Sequence, residues 1–128
     1  MSYLAMVLHA HLPYVRHPEH PTFLEEDWLF EAITETYLPI LGTLDSLHAD
    51  GIPFALTMSI TPPLCEMLSD AVLRERYARH LGRMVELAEK EANLKRGTPF
   101  EDASKMYLDV FRRSRTVYEE RYGRDIVR

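Results

Sequence analysis

The stretch that decides the fold opens the chain and reads Tyr3-Leu4-Ala5-Met6-Val7-Leu8-His9-Ala10-His11-Leu12-Pro13-Tyr14. Tyr3 to Leu8 is almost continuously apolar, which predicts a strand buried on both faces, the kind found in parallel sheets. Pro13 has no backbone N–H to donate to a sheet, so the strand should end at about that residue. Side chains alternate between the faces of a strand, so His9 and His11 share one face if the strand reaches them.

The two histidines are therefore a candidate site at the carboxyl end of a first, buried strand. Open α/β sheets and β/α barrels keep their functional groups at that end of their strands. A single histidine there is more simply explained as a strand cap that hydrogen-bonds to a neighbour. Two imidazoles on one face favour a binding or catalytic role over that structural explanation.

Composition excludes several classes of protein. The 128 residues suffice for one ordinary domain, and 46% hydrophobic with 27% charged residues is typical of a globular protein. The net charge of −5 and the lack of a basic stripe argue against a nucleic-acid partner. No apolar run approaches the roughly 18 residues of a membrane span, and no secretory signal is visible, so we expect no membrane partner and a cytoplasmic location. The single cysteine, Cys65, excludes an internal disulfide framework and is typical of a reducing compartment.

The first half of the chain predicts a strand, a loop, a helix and a second strand. His9 to Glu26 is a long loop rich in proline and histidine, and such loops are uncommon in compact domains unless they are functional. Asp27 to Ala49 predicts a helix, with apolar residues three and four apart and a kink or a new start at Pro39. Asp50 to Pro53 predicts a turn, and Phe54 to Ser59 a second strand.

The second half predicts three helices. Thr61 and Pro62 are typical of the capping and first positions of a short helix. A second helix follows a cap at Ser69 or Asp70, and the segment Arg96-Gly97-Thr98-Pro99 ends it.

Thr98 and Glu101 predict a capping box for the last helix, which should end near Gly123. Apolar residues recur at helical spacing on the last two helices, and the methionines and tyrosines among them are predicted to belong to the core. The two stripes are Leu73, Tyr77, Leu81, Met84 and Ala88, followed by Phe100, Ala103, Met106 or Tyr107, Val110, Phe111 and Val117.

The order of elements also predicts the topology. A strand, a long helical crossover and a second strand indicate parallel pairing with a right-handed connection. Two parallel strands are not a usual finished domain, because parallel sheets are normally covered on both faces. A complete β/α barrel takes about 250 residues. We therefore expect an α/β fold that comprises the opening β/α units of a larger protein, with a mostly helical remainder.

Two segments carry a resemblance to a known family. One is His9-Ala10-His11-Leu12-Pro13-Tyr14-Val15-Arg16, and the other runs from Phe23 to Pro39. They resemble the N-terminal end of the family 57 glycoside hydrolases and, within that family, the prokaryotic 1,4-α-glucan branching enzymes. The similarity continues more loosely through Ala55 to Leu64 and Leu94 to Arg96. It covers essentially the whole chain.

The resemblance implies that residues 1–128 are the N-terminal part of a catalytic domain built as an incomplete (β/α)7 barrel. It implies that His9 and His11 contact the sugar next to the scissile bond, that Tyr14 supports that wall, and that Trp28 lines the glucan groove. Imidazoles bond to hydroxyls and an indole covers a sugar face, so these residue types fit an α-glucan substrate. A buried helix residue is the equally weighted structural explanation for Trp28. The resemblance implies no metal and no cofactor, and the other expected partner is the remainder of the same catalytic domain.

The implied activity cleaves α-1,4-glucosidic bonds and transfers the glucan chain to form α-1,6 branches by a retaining double displacement. That mechanism needs a nucleophilic carboxylate and a carboxylic acid about 5–5.5 Å apart. Nothing in this chain matches the family's motif for either group. We therefore assign no catalytic residue and expect the chain alone to be inactive. Glu25, Glu26 and Asp27 are more simply explained by the favourable position of acids at a helix N-terminus.

Two other functions remain open from the residues. A His-x-His at the end of a first strand also begins several metal-dependent barrel hydrolases, and His17 and His20 add imidazoles nearby. Such sites need further ligands from later strands. The Leu-Pro-Tyr continuation and the helix start at Asp27 favour the carbohydrate function over the metal site. The third possibility is a non-catalytic sugar-binding fragment.

Overall fold

The computed structural model describes residues 5–127, in which two helices separate two strands and three further helices follow. The chain divides into two compact units, of which the first ends at Asp70 and the second is Ala71–Ile126. The first unit contains β1 (Val7–Ala10), α1 (Glu26–Ala32), α2 (Leu38–Ala49), β2 (Thr57–Ile60) and α3 (Pro62–Ser69). The second unit contains α4 (Ala71–Leu94) and α5 (Glu101–Thr116).

β1 and β2 form a parallel two-stranded sheet, as the order of elements predicts. His9 lies directly opposite Ser59 in the register. The ladder continues past the last strand pair, because the Thr61 N–H donates to the Ala10 carbonyl over 3.1 Å. Parallel pairing brings the carboxyl ends of both strands to one edge of the sheet. This is the fold expected for the opening β/α units of a barrel.

Both strands lie further along the chain than the apolar pattern predicts. β1 is Val7–Ala10 instead of Tyr3–Leu8, a range whose first two residues lie outside the described part of the chain. β2 is Thr57–Ile60 instead of Phe54–Ser59. Strand limits follow the interstrand hydrogen bonds, whereas the apolar residues that precede each strand line a hollow against α2. Apolar character therefore marked the approach to each strand rather than the strand itself.

β1 is not buried on both faces, which corrects the prediction. Its side chains alternate between exposed and half-buried, and Val7 is 53% exposed. The half-buried face meets α2 across an apolar hollow of about 550 Å³, lined in part by Leu8, Leu44 and Leu56. The opposite face, which carries Val7 and His9, is open in the part of the chain that the structure describes. A two-stranded sheet covered on one side explains this pattern, since burial on both faces needs a second layer.

The first helical region is interrupted as predicted at Pro39. A π-helical turn, Ile33–Tyr37, joins α1 to α2, and the Leu38 N–H donates to the Ile33 carbonyl five residues back. Pro39 is the second residue of α2 and has no N–H for the ordinary α-helical bond. The π turn accommodates the missing donor by changing the hydrogen-bond register just before the proline.

The start of α3 is confirmed at Thr61, with a different means of capping. Thr61 is extended (φ −74°, ψ 144°), its carbonyl accepts from the Cys65 N–H over 3.1 Å, and Pro62 is the first helical residue. The Thr61 hydroxyl makes no capping bond and is buried without a partner among the described residues. A capping hydroxyl usually accepts from the second or third helical N–H, and the second position here is Pro63, which has none.

The core of the second unit follows the α4 stripe closely. Leu73, Tyr77, Leu81 and Ala88 are buried as predicted, whereas Met84 is half-buried. Tyr77 packs edge-to-face against Tyr118, with ring centroids 4.6 Å apart and planes at 81°. Such aromatic pairs stabilise the fold beyond the contribution of the apolar area that they bury.

The predicted α5 stripe packs only in its later part. Val110, Phe111 and Val117 are half-buried, whereas Phe100, Met106 and Tyr107 are 65%, 49% and 53% exposed, and the buried residue of α5 is Ser114. Apolar residues occupy more of the α5 circumference than α4 covers, so periodicity alone did not identify the packed face. The predicted end near Gly123 is confirmed, since a second π-helical turn, Val117–Arg121, precedes it.

The capping box at the start of α5 was also wrong. α5 begins at Glu101, so Thr98 lies too far upstream to be its capping residue. The Glu101 carboxylate instead accepts from the Gly97 N–H over 2.5 Å, and Gly97 adopts φ 74°, a left-handed conformation that favours glycine. The Thr98 hydroxyl donates to the Lys95 carbonyl over 2.6 Å. The turn between the helices is therefore closed by different partners from those predicted.

Candidate functional site

The candidate site begins with the His9 imidazole at the carboxyl end of β1. Parallel register places Ser59 of β2 directly opposite it, and His9 Nδ1 lies 3.1 Å from Ser59 Oγ. Both side chains are exposed. An imidazole held through one ring nitrogen leaves the other nitrogen available to a ligand.

His11 lies one residue beyond the end of β1 and is exposed. The Thr61 N–H donates to the carbonyl of Ala10, the residue just before His11. The hydrogen bonds between the two strands therefore extend to the residue next to His11. Strand alternation therefore still favours the same face for His9 and His11. That they share one substrate cavity stays a prediction.

The residues after Pro13 attach the loop to α3. Tyr14 Oη donates to Glu66 over 3.3 Å, and the Val15 N–H donates to the Met67 sulfur over 3.2 Å. Val15 and Met67 are both buried, at 2% and 0% exposure. The residues that follow the two histidines therefore have a structural role, because they attach the loop to α3.

Arg16 adds an ion pair to this attachment. Its Nε donates to Asp70 Oδ2 over 2.5 Å, between side chains that are 30% and 17% exposed. The hydrogen bond to Asp70 raises the pKa of the Arg16 guanidinium above its ordinary value. Three consecutive loop residues therefore contact α3 or Asp70, the residue that caps its carboxyl end, and these contacts hold the start of the loop next to the His9 strand end.

His17 and His20 belong to an aromatic cluster further along the loop. Phe23 lies between them, with ring centroids 3.7 Å from His17 and 5.4 Å from His20. His17 Nδ1 is 3.0 Å from Glu19 Oε1. The pKa of the Glu19 carboxyl is held below its ordinary value by a backbone hydrogen bond first and by His17 second.

The alternative function, a metal-dependent hydrolase, requires several side chains that can coordinate one metal ion together. Within residues 5–127, no group of three or more histidine, cysteine, aspartate or glutamate side chains is placed to hold a metal ion. Nor is any helix in that range long and apolar enough to cross a membrane.

Trp28 lies in the first turn of α1 and is 52% exposed. The structural explanation, a buried helix residue, therefore does not hold for it in the described chain. Glu26 and Asp27 occupy the same first turn, where acids are favourable, as predicted. Glu26 is only 2% exposed, so it faces the interior rather than a ligand groove.

The apolar hollow beneath the sheet is a separate feature. It lies on the α2 side, opposite the His9 face, and Thr43 supplies the one polar side chain among its lining residues in the described structure. Sugar hydroxyls need several hydrogen-bonding partners, so this hollow does not suit a glucan. The candidate binding face is the open one.

Ser59 is the site residue that sequence reasoning missed. Its partnership with His9 follows from the register of β2, which began three residues later than predicted. The alternation of Thr57, Ser59 and Thr61 was a signal, because hydroxyl residues two apart share a strand face.

The chain is similar to a known protein family, to curated relatives and to solved structures. Residues 5–122 match the family described as Glycosyl hydrolase family 57. A stretch of 113 residues is 38% identical to the 1,4-α-glucan branching enzyme TK1436 of Thermococcus kodakarensis. The matched stretch covers 88% of this chain and 16% of that protein. The structure of TK1436 in complex with glucose and additives is also similar, with a TM-score of 0.85 and 33% identity over 97% of this chain and 22% of that chain.

Two further solved structures are similar. The α-amylase AmyC of Thermotoga maritima has a TM-score of 0.85 and 48% identity, over 94% of this chain and 23% of that chain. The family-57-type branching enzyme of Pyrococcus horikoshii has a TM-score of 0.86 and 31% identity, over 97% of this chain and 23% of that chain. The present chain thus spans less than a quarter of the length of these relatives.

Proposed function

We propose that this chain, which belongs to glycosyl hydrolase family 57, supplies the first β/α units of a catalytic domain that acts on α-glucan. The parallel sheet, with its histidines at the carboxyl end, supports this proposal. The rest of the catalytic domain is then the chain's first partner, and its further strands pair with the unpaired edges of this two-stranded sheet. The carboxylates that break the glucosidic bond lie in that remainder.

The complete enzyme is, in this proposal, a 1,4-α-glucan branching enzyme. It cleaves α-1,4-glucosidic bonds and transfers the released chain to form α-1,6 branches by a retaining double displacement. The observation that carries this choice is the 38% identity to TK1436, a protein named as a branching enzyme, over 88% of the present chain.

The described residues have binding roles in this reaction. His9 and His11 hydrogen-bond to hydroxyls of the sugar next to the scissile bond, and Tyr14 supports that wall through its contact with Glu66. Trp28, half-exposed on α1, offers its ring to a sugar face in the glucan groove. These groups bind and orient the substrate, and none of them breaks a bond.

The test uses the complete enzyme that carries this segment, incubated with linear amylose. We expect new α-1,6 linkages, seen as their own anomeric proton signal in the NMR spectrum. We also expect short chains to be released when a debranching enzyme digests the product. Heat-inactivated enzyme is the control. An amylose product without α-1,6 linkages would overturn the branching proposal.

Hydrolysis is the second candidate, because the chain is 48% identical to a protein named as an α-amylase. The same incubation separates the two activities. Hydrolysis raises the number of reducing ends and shortens the glucan without adding branches. Transfer conserves the number of glucosidic bonds, since each α-1,4 bond broken is replaced by an α-1,6 bond.

A further inference from the structure

We propose that Ser59 is a positioning residue for His9, and that it holds the imidazole with Nε2–H directed away from β2 and toward the bound sugar. The inference rests on the proposed function, in which His9 contacts the glucan. It adds a residue of β2 to a site that the sequence motif confines to β1 and its loop.

The backbone sets this pairing before the side chains do. His9 and Ser59 are register partners in the parallel ladder, so their Cβ atoms leave the sheet on the same face at neighbouring positions. The Nδ1–Oγ distance of 3.1 Å is within ordinary hydrogen-bonding range. Ladder bonds on either side, from Thr57 N–H to Met6 and from Thr61 N–H to Ala10, prevent the strands from slipping. The strand register therefore places these two side chains next to each other.

The chemistry of the pair determines which nitrogen carries the proton. A neutral imidazole has one donor nitrogen and one acceptor nitrogen, and the partner of one nitrogen decides the state of the other. An imidazole nitrogen is a stronger base than a hydroxyl oxygen, so the favoured arrangement has the Ser59 O–H donating to Nδ1. The proton of His9 then resides on Nε2, which becomes a donor toward a sugar oxygen.

Positioning of this kind acts mainly on substrate binding. Without Ser59, the exposed His9 ring is free to rotate and to exchange tautomers, and it must be ordered when sugar binds. Ordering the free ring costs binding free energy, and a ring that Ser59 already holds in place avoids that cost. The loss of one such hydrogen bond predicts that Ser59→Ala raises KM for a linear maltooligosaccharide about threefold to tenfold. The value of kcat should change less.

A double-mutant cycle in the complete enzyme tests this proposal. Ser59→Ala should raise KM when His9 is present and should have no further effect in a His9→Ala background, because Ser59 acts only through that ring. Ser59→Thr keeps a hydroxyl and a strand-favouring side chain, so it should restore KM to within about twofold of wild type. Thr57→Ala removes a hydroxyl from the same face of β2 two residues away, and it is the matched control with unchanged KM.

Additive effects of Ser59→Ala and His9→Ala would overturn the positioning role, since a merely structural serine weakens the strand whether or not His9 is present. A Thr57→Ala variant that behaves like Ser59→Ala would overturn it in the same way.

A crystal structure of sugar-free Ser59→Ala complete enzyme separates this proposal from the proposed function. We expect the His9 ring to leave its wild-type orientation or to occupy several. A ring that stays in place without the serine would overturn the inference. Failure of the wild-type enzyme to act on any α-glucan would overturn the proposed function, and the crystallographic comparison would still decide the role of Ser59.

Discussion

His9 and His11 lie where the first strand gives way to a loop, and both are exposed on the described chain. An exposed imidazole gains less folding stability from burial than a side chain of the core does. Its contribution to an enzyme must then come from what it binds. Effects on turnover and on stability should therefore separate for substitutions at these positions.

His11→Ala in the complete enzyme should lower turnover on an amylose-like glucan while leaving folding stability nearly unchanged. A hydrogen bond to a substrate hydroxyl in the transition state predicts a loss of about tenfold in kcat/KM. Steady-state kinetics and thermal unfolding of the same preparation measure both quantities. His48→Ala is the control, because His48 is an exposed histidine on α2. Equal losses of activity and stability, or wild-type rates, would contradict the assignment.

Tyr118 shows the opposite case, a side chain whose importance comes from burial. Burial raises the pKa of Tyr118 to about 12, from an ordinary value of 10.0. The neutral phenol is therefore favoured in the folded state. The stability that it contributes is present below pH 10 and is lost as the pH rises toward 12. The full loss corresponds to about 3 kcal/mol, from a pKa raised by about two.

An absorbance titration of the phenolate tests this prediction. We expect one component with a pKa near 12 in the wild-type protein and its disappearance in Tyr118→Phe. Tyr107→Phe is the control, because the Tyr107 side chain is 53% exposed. A component near 12 that persists in Tyr118→Phe would show that another tyrosine produces it.

At the scale of elements, contacts with α3 and with Asp70 at its carboxyl end hold the start of the loop after β1. Tyr14 and Val15 contact α3 through a hydroxyl and a backbone N–H, and the Arg16 guanidinium pairs with Asp70 at the carboxyl end of that helix. A long loop without such contacts would be mobile, since loops make few hydrogen bonds of their own. The contacts with α3 are therefore expected to keep this loop beside the site.

Arg16→Ala should loosen the first part of the loop without affecting the helices of the second unit. Loss of the Asp70 pair predicts faster amide hydrogen exchange at Val15 and its neighbours, whereas exchange in α4 should be unchanged. Hydrogen-exchange mass spectrometry of the complete enzyme measures both regions. Glu19→Ala is the control, because Glu19 pairs with His17 elsewhere in the loop. Equal protection in Arg16→Ala and wild type would show that Val15 and Met67 suffice.

At the scale of the whole molecule, much apolar surface of residues 5–127 remains in contact with solvent. Both strands have one unpaired edge, and large apolar side chains on several elements are about half exposed or more. Examples are Met6, Leu24, Leu87, Leu94, Phe100 and Tyr107. Exposed apolar side chains and open strand edges favour association with further protein.

The isolated chain of residues 1–128 should therefore be inactive on amylose and only marginally folded. Circular dichroism should show helical signal, because the helices have strong local periodicity, but thermal unfolding should be broad. The complete enzyme under the same conditions is the control. A sharp, reversible transition of a monomer, or measurable branching by the isolated chain, would contradict this prediction.

Local chemistry made several features predictable from the sequence. Pro39 has no N–H wherever it is placed, so an interruption of the helix had to occur near it. Thr61 followed by Pro62 is typical of a helix start, and the helix begins there. The parallel pairing of β1 and β2 followed from the length of the helical crossover between them. The family resemblance rested on residues that lie close together in the chain, and it holds over residues 5–122.

Other features were decided only by tertiary structure, because they depend on partners far away in the chain. The strand limits follow hydrogen bonds between residues about fifty positions apart, which an apolar run cannot specify. The packed side of α5 depends on which part of a wide apolar surface α4 covers, so Ser114 is buried while Met106 and Tyr107 are exposed. Ser59 became a partner of His9 through the register of β2. The sequence by itself thus determined the kinds of element and the site's first residues, whereas strand register and helix packing determined which side chains meet.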